Sequence, residues 1–500
     1  MTSDLPTTGA SVADVVASAA SRKVLEISTG EDLKRAINGV RKIIDKNLEL
    51  RTKYAHAPEK FMDCEVELDG AIKDLSALAA SPELYADAAS SSLPSMILGL
   101  LTHDNDDISI DVLKLLAQLI DPDVLAEEKD ADKLVDAIID KGGAKLLVQN
   151  LKRGLGAEGV RNTMEVIDSL IEVKAELCNT FCGETKLLTF LVKQLSPNES
   201  IDDSKILCGE LLFALLEGCD PACAAAEDLV EKILEFCSRY IDRVPENSEE
   251  HEVVCNVFNA LALCIDCQKG KNAFVANEGF ELIFVMARKK SYALPLALDC
   301  LDRALAGSAP ACEHFVSIGG LKILMPVFMN KSIARVCKVQ KKFFGSLILR
   351  RAESHIVSSL AALMQLLETN SVPYRRILRK FYADKDKIDR SVELFKSLEQ
   401  AVEQAATDIG DEDAAYLAKI DAGLETMYKS VVVLAHLACD SAVATYIAKK
   451  FHEQRMSLET LAAYLGEFIS ESEGGDAARL TMLAELLREF LANVAASSQE

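Results

Sequence analysis

A glycine followed within a few residues by a tight Leu/Ile cluster returns along this 500-residue chain, and nothing else constrains the fold as strongly. It reads Gly142-Gly143-Ala144-Lys145-Leu146-Leu147, then Gly183-Glu184-Thr185-Lys186-Leu187-Leu188. It returns as Gly279-Phe280-Glu281-Leu282-Ile283 and as Gly319-Gly320-Leu321-Lys322-Ile323-Leu324. Gly142 and Gly183 are 41 positions apart and Gly279 and Gly319 are 40 apart; the 96 positions from Gly183 to Gly279 hold two units, one without its glycine. A unit this short cannot bury its own apolar face, so its neighbours must stack on it and share one core. A sharp turn between short helices needs φ > 0 or a close backbone approach, which explains the glycine.

A second phrase is a longer helix with apolar residues at i, i+3/i+4 and i+7. It is predicted at Ile108–Ile120, Val160–Ile171, Ile206–Leu216, Val253–Ile265, Leu294–Leu305 and Ile356–Leu367. Each is a one-sided stripe. The starts are 52, 46, 47, 41 and 62 residues apart, and the long last gap reads as an insertion or irregular unit. A period near 40 fits armadillo or HEAT units of about 40–47 residues and is too long for tetratricopeptide or ankyrin units. The expected fold is all-α, an armadillo/HEAT-like right-handed superhelical solenoid with helical caps at both ends. Residues 1–28, rich in Ser, Thr and Ala, read as disordered, and 29–57 as a capping helix (Leu33–Leu50). Residues 58–383 read as the repeats, with an irregular basic unit at 331–380, and 384–500 as the C-terminal cap. In that cap, helices are predicted at Ile388–Ala406, Ala414–Ala438, Ser457–Ile469 and Asp476–Val494.

Charge narrows the partners. The chain carries 55 Lys+Arg against 78 Asp+Glu, a net −23, which repels phosphate backbones and attracts basic segments. Direct DNA binding is therefore not expected. Lys331 to Lys380 runs the other way, with eleven basic and two acidic residues. Lys338, Lys341, Lys342, Arg350, Arg351, Arg375, Arg376, Arg379 and Lys380 form a candidate basic patch. Aromatic residues interleave with them at helical spacing, as a core would place them. No RNA-binding signature accompanies them, so RNA contact is not expected either. The start of the chain lacks the cationic and apolar regions of a secretory signal, and no apolar run reaches the ~18 residues a membrane span requires. A soluble, intracellular protein is expected, its 14 Cys packed as small apolar residues in a reducing compartment.

Catalytic and metal signatures are not found. There is no phosphate-binding glycine loop, nucleophile elbow or HExxH pair. The Cys264-x-x-Cys267 pair lacks the second pair or the histidines that a zinc site needs. His103-Asp104-Asn105-Asp106-Asp107 lacks the glycine and terminal glutamate of an EF-hand loop and reads as a helix cap. Neither enzyme activity nor a cofactor is expected. The inner helix of an armadillo unit presents its exposed face to a groove. That pattern selects Lys114, Gln118, Glu165, Ser169, Glu210, Asn256 and Asn259 as candidate peptide contacts, with carboxylates and amides meeting a basic segment.

Further phrases resemble a particular family. They are Pro58-Glu59-Lys60-Phe61-Met62, Leu100-Leu101-Thr102-His103-Asp104-Asn105-Asp106-Asp107, Leu147-Val148-Gln149-Asn150-Leu151 and Gly159-Val160-Arg161-Asn162-Thr163-Met164. Arg376-Ile377-Leu378-Arg379-Lys380-Phe381, Lys387-Ile388-Asp389-Arg390 and Asp421-Ala422-Gly423-Leu424 follow in order. Together they resemble the beta-catenin-like protein 1 family of nuclear, spliceosome-associated armadillo proteins. The resemblance implies a nuclear scaffold in pre-mRNA splicing that binds basic, nuclear-localisation-type segments, with a Myb-domain splicing factor and other spliceosomal proteins as partners. Where that family can carry a basic import signal at its N-terminus, this chain offers Arg22-Lys23. Two alternatives stay open: an importin-alpha-like import adaptor, which the absence of Trp for a Trp/Asn ladder disfavours, and a regulatory subunit of an enzyme complex. A homodimer is also left open.

Overall fold

The computed structural model describes residues 26–128, 130–195, 201–220, 227–329, 346–383, 385–407, 409–472 and 474–497. Every regular element among them is an α- or 3-10 helix. Two compact units divide the chain, one of Met1–Phe190 with Asp202–Leu211, the other of Leu191–Ile201 with Leu212–Glu500.

In the first unit, α1 (Gly30–Lys53) starts where Thr29 accepts a hydrogen bond from the Asp32 amide at 3.2 Å. Glu31 and Asp32 sit in its first turn and Arg51 and Lys53 in its last, so both ends suit the helix dipole. Residues 1–25, expected to be disordered, lie outside the described residues. Ile27, placed by composition in the same segment, is instead buried at 3% exposure, and Ser81 donates to its carbonyl at 2.7 Å. Among the helices that follow are α2 (Met62–Leu75), α3 (Asp106–Leu119) and α4 (Gly156–Val173). α2 packs on α1 and α3, and α3 on α4. The stripe predicted for α3 is the buried one: Ile108, Val112, Leu113, Leu116 and Leu119 are all within 1% exposure. Asn105 caps this helix by accepting from the Asp107 amide at 3.0 Å.

In the second unit, α5 (Ser248–Ile265), α6 (Leu294–Leu305) and α9 (Ser346–Leu366) are consecutive long helices, with α7 (Ala309–Ser317) and α8 (Leu321–Phe328) between α6 and α9. After them come α10 (Val372–Tyr382), α11 (Asp386–Ala405), α12 (Glu412–Ala422) and α13 (Leu424–Ala438). α5, α6, α9 and α13 pack in that order, while α7 and α8 pack against α9 and α10. The recurrent glycine divides its labour here. Gly319 takes the positive φ of 95° that ends one short helix, and Gly320 lies where a Cβ would come within 2.4 Å of the Phe315 ring. In the preceding unit Glu278 carries the positive φ instead, at 59°.

Two sequence readings need correction. α9 begins at Ser346, so its start follows that of α6 by 52 residues and not 62; the helix starts ahead of the stripe from Ile356 that set the predicted start. The predicted helix Ala414–Ala438 is broken at Gly423, whose φ of 105° ends α12 and starts α13. The rest of the expected irregular unit, including Lys338, Lys341 and Lys342, lies outside the described residues.

Candidate peptide-binding site

In the first unit, successive long helices leave a cavity of about 460 Å³ between α2, α3 and α4. α2 contributes Glu65, Asp69 and Lys73, spaced four residues apart and so on one face. α3 adds Asp107, Asp111 and Lys114, and α4 adds Glu158. Five carboxylates face two ammonium groups. Met62 and Val66 also line it, unusually exposed for apolar side chains at 58% and 62%.

At the centre a lysine is held between neighbouring repeats. Lys73 Nζ lies 2.7 Å from Asp69 and 3.0 Å from Asp111. Burial raises the Asp111 carboxyl above its ordinary range, and its hydrogen bond to Asp69 adds to the effect. For Lys73 burial works against the charge, yet the hydrogen bonds to Asp69 and Asp111 prevail and hold the ammonium above its usual value. Lys114 lies 2.9 Å from Glu158 and 3.8 Å from Asp111. The hydrogen bond from Lys114 holds the Glu158 carboxyl below its usual range. At one edge Asn105 donates to Glu65 at 2.9 Å, and Arg51 pairs with Glu65 and, at 3.1 Å, with Asp104. Such a surface suits lysine and arginine side chains, whose methylenes can lie on Met62 and Val66 while their heads meet carboxylates.

Of the candidate contacts, Lys114 alone lines this cavity. Gln118 is exposed one turn further along α3, and Glu165 is exposed on α4, 3.8 Å from Arg161. Ser169 on α4 and Glu210 in helix Asp203–Gly218 are half-buried. Asn256 and Asn259 are half-buried on α5 in the second unit. The sequence reading omitted Asp69, Lys73, Asp111 and Glu158. The period-four series Glu65, Asp69, Lys73 was the available signal, but it lies on a helix that the repeat pattern had not picked out. Within the basic patch, Arg350 and Arg351 are exposed on α9. Arg375 is exposed on α10, and Arg376, Arg379 and Lys380 come together beside Lys322.

Stacked helical units with a charged face on their long helices define the armadillo class of protein-binding folds. The chain belongs to the family described as "Catenin-beta-like, Arm-motif containing nuclear", whose model matches residues 10–466. It is 34% identical to Beta-catenin-like protein 1 of Rattus norvegicus over 437 residues, which is 82% of this chain and 75% of that one. The protein of that name from Homo sapiens is 32% identical over the same shares. The Beta-catenin-like protein 1 homolog of Schizosaccharomyces pombe is 29% identical over 88% of this chain and 78% of that one. Among solved structures, one from work on a phosphorylation switch controlling the interaction between cadherin and beta-catenin superposes with a TM-score of 0.55. It is 14% identical and covers 85% of this chain and 83% of that one, a likeness of fold alone.

Proposed function

We propose that this chain is a non-enzymatic nuclear scaffold for pre-mRNA splicing, and that its carboxylate-lined cavity receives basic segments of partner proteins, among them a Myb-domain splicing factor. The nuclear and splicing parts rest on family membership, whose description includes "nuclear". The binding part rests on one observation: the cavity already holds the Lys73 ammonium between Asp69 and Asp111. An incoming lysine or arginine would meet the same carboxylates, together with Glu65, Asp107 and Glu158. Glu165 and Glu210 extend the proposed contact surface along the first unit, and Asn256 and Asn259 supply amide contacts in the second. A net charge of −23 steers cationic segments toward the protein and makes their capture salt-sensitive.

The test is fluorescence anisotropy of the full chain with a labelled Lys/Arg-rich peptide. Asp69→Asn with Glu158→Gln should weaken binding about tenfold, the equivalent of roughly 1.4 kcal/mol. Glu165→Lys with Glu210→Lys should weaken it further in low salt. Undiminished affinity in the Asp69→Asn, Glu158→Gln variant would reject the cavity as the binding site. Affinity purification from nuclear extract then separates roles, since spliceosomal proteins, import receptors and enzymes each answer to a different reading.

A further inference from the structure

The second unit holds a site of opposite charge. A cavity of about 510 Å³ opens where the end of α7 and the start of α8 meet α10. Lys322 reaches it from α8, and Arg376, Arg379 and Lys380 from α10. Arg376 lies three residues before Arg379 and four before Lys380, so all three share one helical face. Among the described residues no carboxylate lines the cavity, and none of the four cations pairs with another of them. Several cations elsewhere in this acidic chain are matched: Lys73 and Lys114 have carboxylates, as do Arg303 with Asp299 at 2.9 Å and Lys174 with Asp132 at 3.3 Å.

The cations are held on a firm base. Ile377 and Phe381, on the opposite face of α10, are fully buried, and the Phe381 ring packs edge-on to Phe328 of α8 at 6.2 Å. Val316, Leu321 and Ala383 add apolar surface to the lining, with Ser317 and Gly319 beside them. Four like charges in one concavity repel one another, and an entering anion would relieve that repulsion.

We propose that this cavity binds a phosphorylated serine or threonine of a partner protein. A phosphoryl group carries close to two charges and three strong acceptors, which the two guanidinium forks can engage bidentately while Lys322 and Lys380 supply point charges. A nucleic-acid backbone fits less well. It calls for an extended basic stripe and aromatic stacking platforms, whereas this is one compact cavity with no aromatic residue among the described residues of its lining. The acidity of the whole chain also opposes a polyanion, while a short phosphopeptide meets the local field only.

The experiment is fluorescence anisotropy of the full chain with a fluorescein-labelled peptide bearing two phosphoserines among Gly and Asp. Its unphosphorylated counterpart and a short labelled oligouridine are measured alongside. The phosphopeptide should bind at least about tenfold tighter than the other two. Arg376→Gln with Arg379→Gln should remove that preference, with thermal unfolding unchanged because both side chains are exposed. Arg376→Lys with Arg379→Lys should give an intermediate loss, since charge stays and the forks go. A control with equal loss of charge, Lys269→Gln with Lys449→Gln, should retain full binding. Equal binding of phosphorylated and unphosphorylated peptide, oligouridine binding in preference to the phosphopeptide, or equal losses in the control and arginine variants would each overturn the proposal.

Discussion

The cavity between α2, α3 and α4 and the cavity beside α10 are made in the same way, yet they carry opposite charge. In both, the buried face of a helix packs on its neighbours through Leu, Ile and Phe, and the opposite face is left to carry function. In the first unit that face crowds carboxylates so closely that Lys73 and Lys114 are bound by them. In the second, Arg376, Arg379 and Lys380 have no carboxylate beside them among the described residues. Stacking depends on apolar area, which is blind to the sign of the surface charge, so one scaffold can display either sign.

This separation of core from surface can be broken most severely from beneath. Phe381→Ala, under the arginine face, should cost about 3–5 kcal/mol by chemical denaturation and loosen the cation site with it. Arg379→Gln on the same helix should stay within about 0.5 kcal/mol. Comparable losses for the two would show that the charged face itself holds the second unit together.

Acid should act on His436 and on Asp111 in opposite directions. His436 is half-buried on α13, where Tyr374 Oη lies 3.1 Å from its Nδ1, and burial lowers its folded value from 6.5 to about 4. Between those values the unfolded chain binds a proton that the folded chain refuses, so this contribution to stability falls as pH drops from about 6.5 toward 4. The loss is on the order of 3 kcal/mol in all. Asp111 has a raised value, so it binds its proton more readily when folded and opposes acid destabilisation. Hydrogen exchange followed by segment should lose protection around α13 on going from pH 7 to pH 5, and His436→Gln should remove that loss. An equal loss around α13 in the variant would refute the assignment.

The smallest effect sharpens the electrostatic half of the comparison. Lys73→Met should alter stability by no more than about 1 kcal/mol, because its side chain is 60% exposed and water screens the pair. It should nevertheless tighten the grip on a basic peptide, by freeing Asp69 and Asp111. A drop in affinity for that peptide would show that Lys73 shapes the cavity instead of occupying it.

Much of the scaffold was legible in the chain itself. The glycine period and the apolar stripes of Ile108–Ile120 and Leu294–Leu305 are local patterns, and burying a stripe requires a neighbour wherever the stripe occurs. The helix caps were legible too: Asn105 ahead of two aspartates reads as a cap and is one. Legibility ended where partners came from distant segments. Ala414–Ala438 reads as one stripe, since a single glycine barely perturbs a hydrophobic pattern, and only its φ at Gly423 shows the break.

The sequence by itself determined an all-helical repeat protein, an acidic surface with one basic block, and family membership through its ordered phrases. Tertiary structure alone decided which charges meet. Asp69 and Asp111 are 42 positions apart, and Lys322 and Arg379 are 57 apart. Electrostatic energy depends on separation in space, and stacking, not the chain, sets that separation for residues on different repeats.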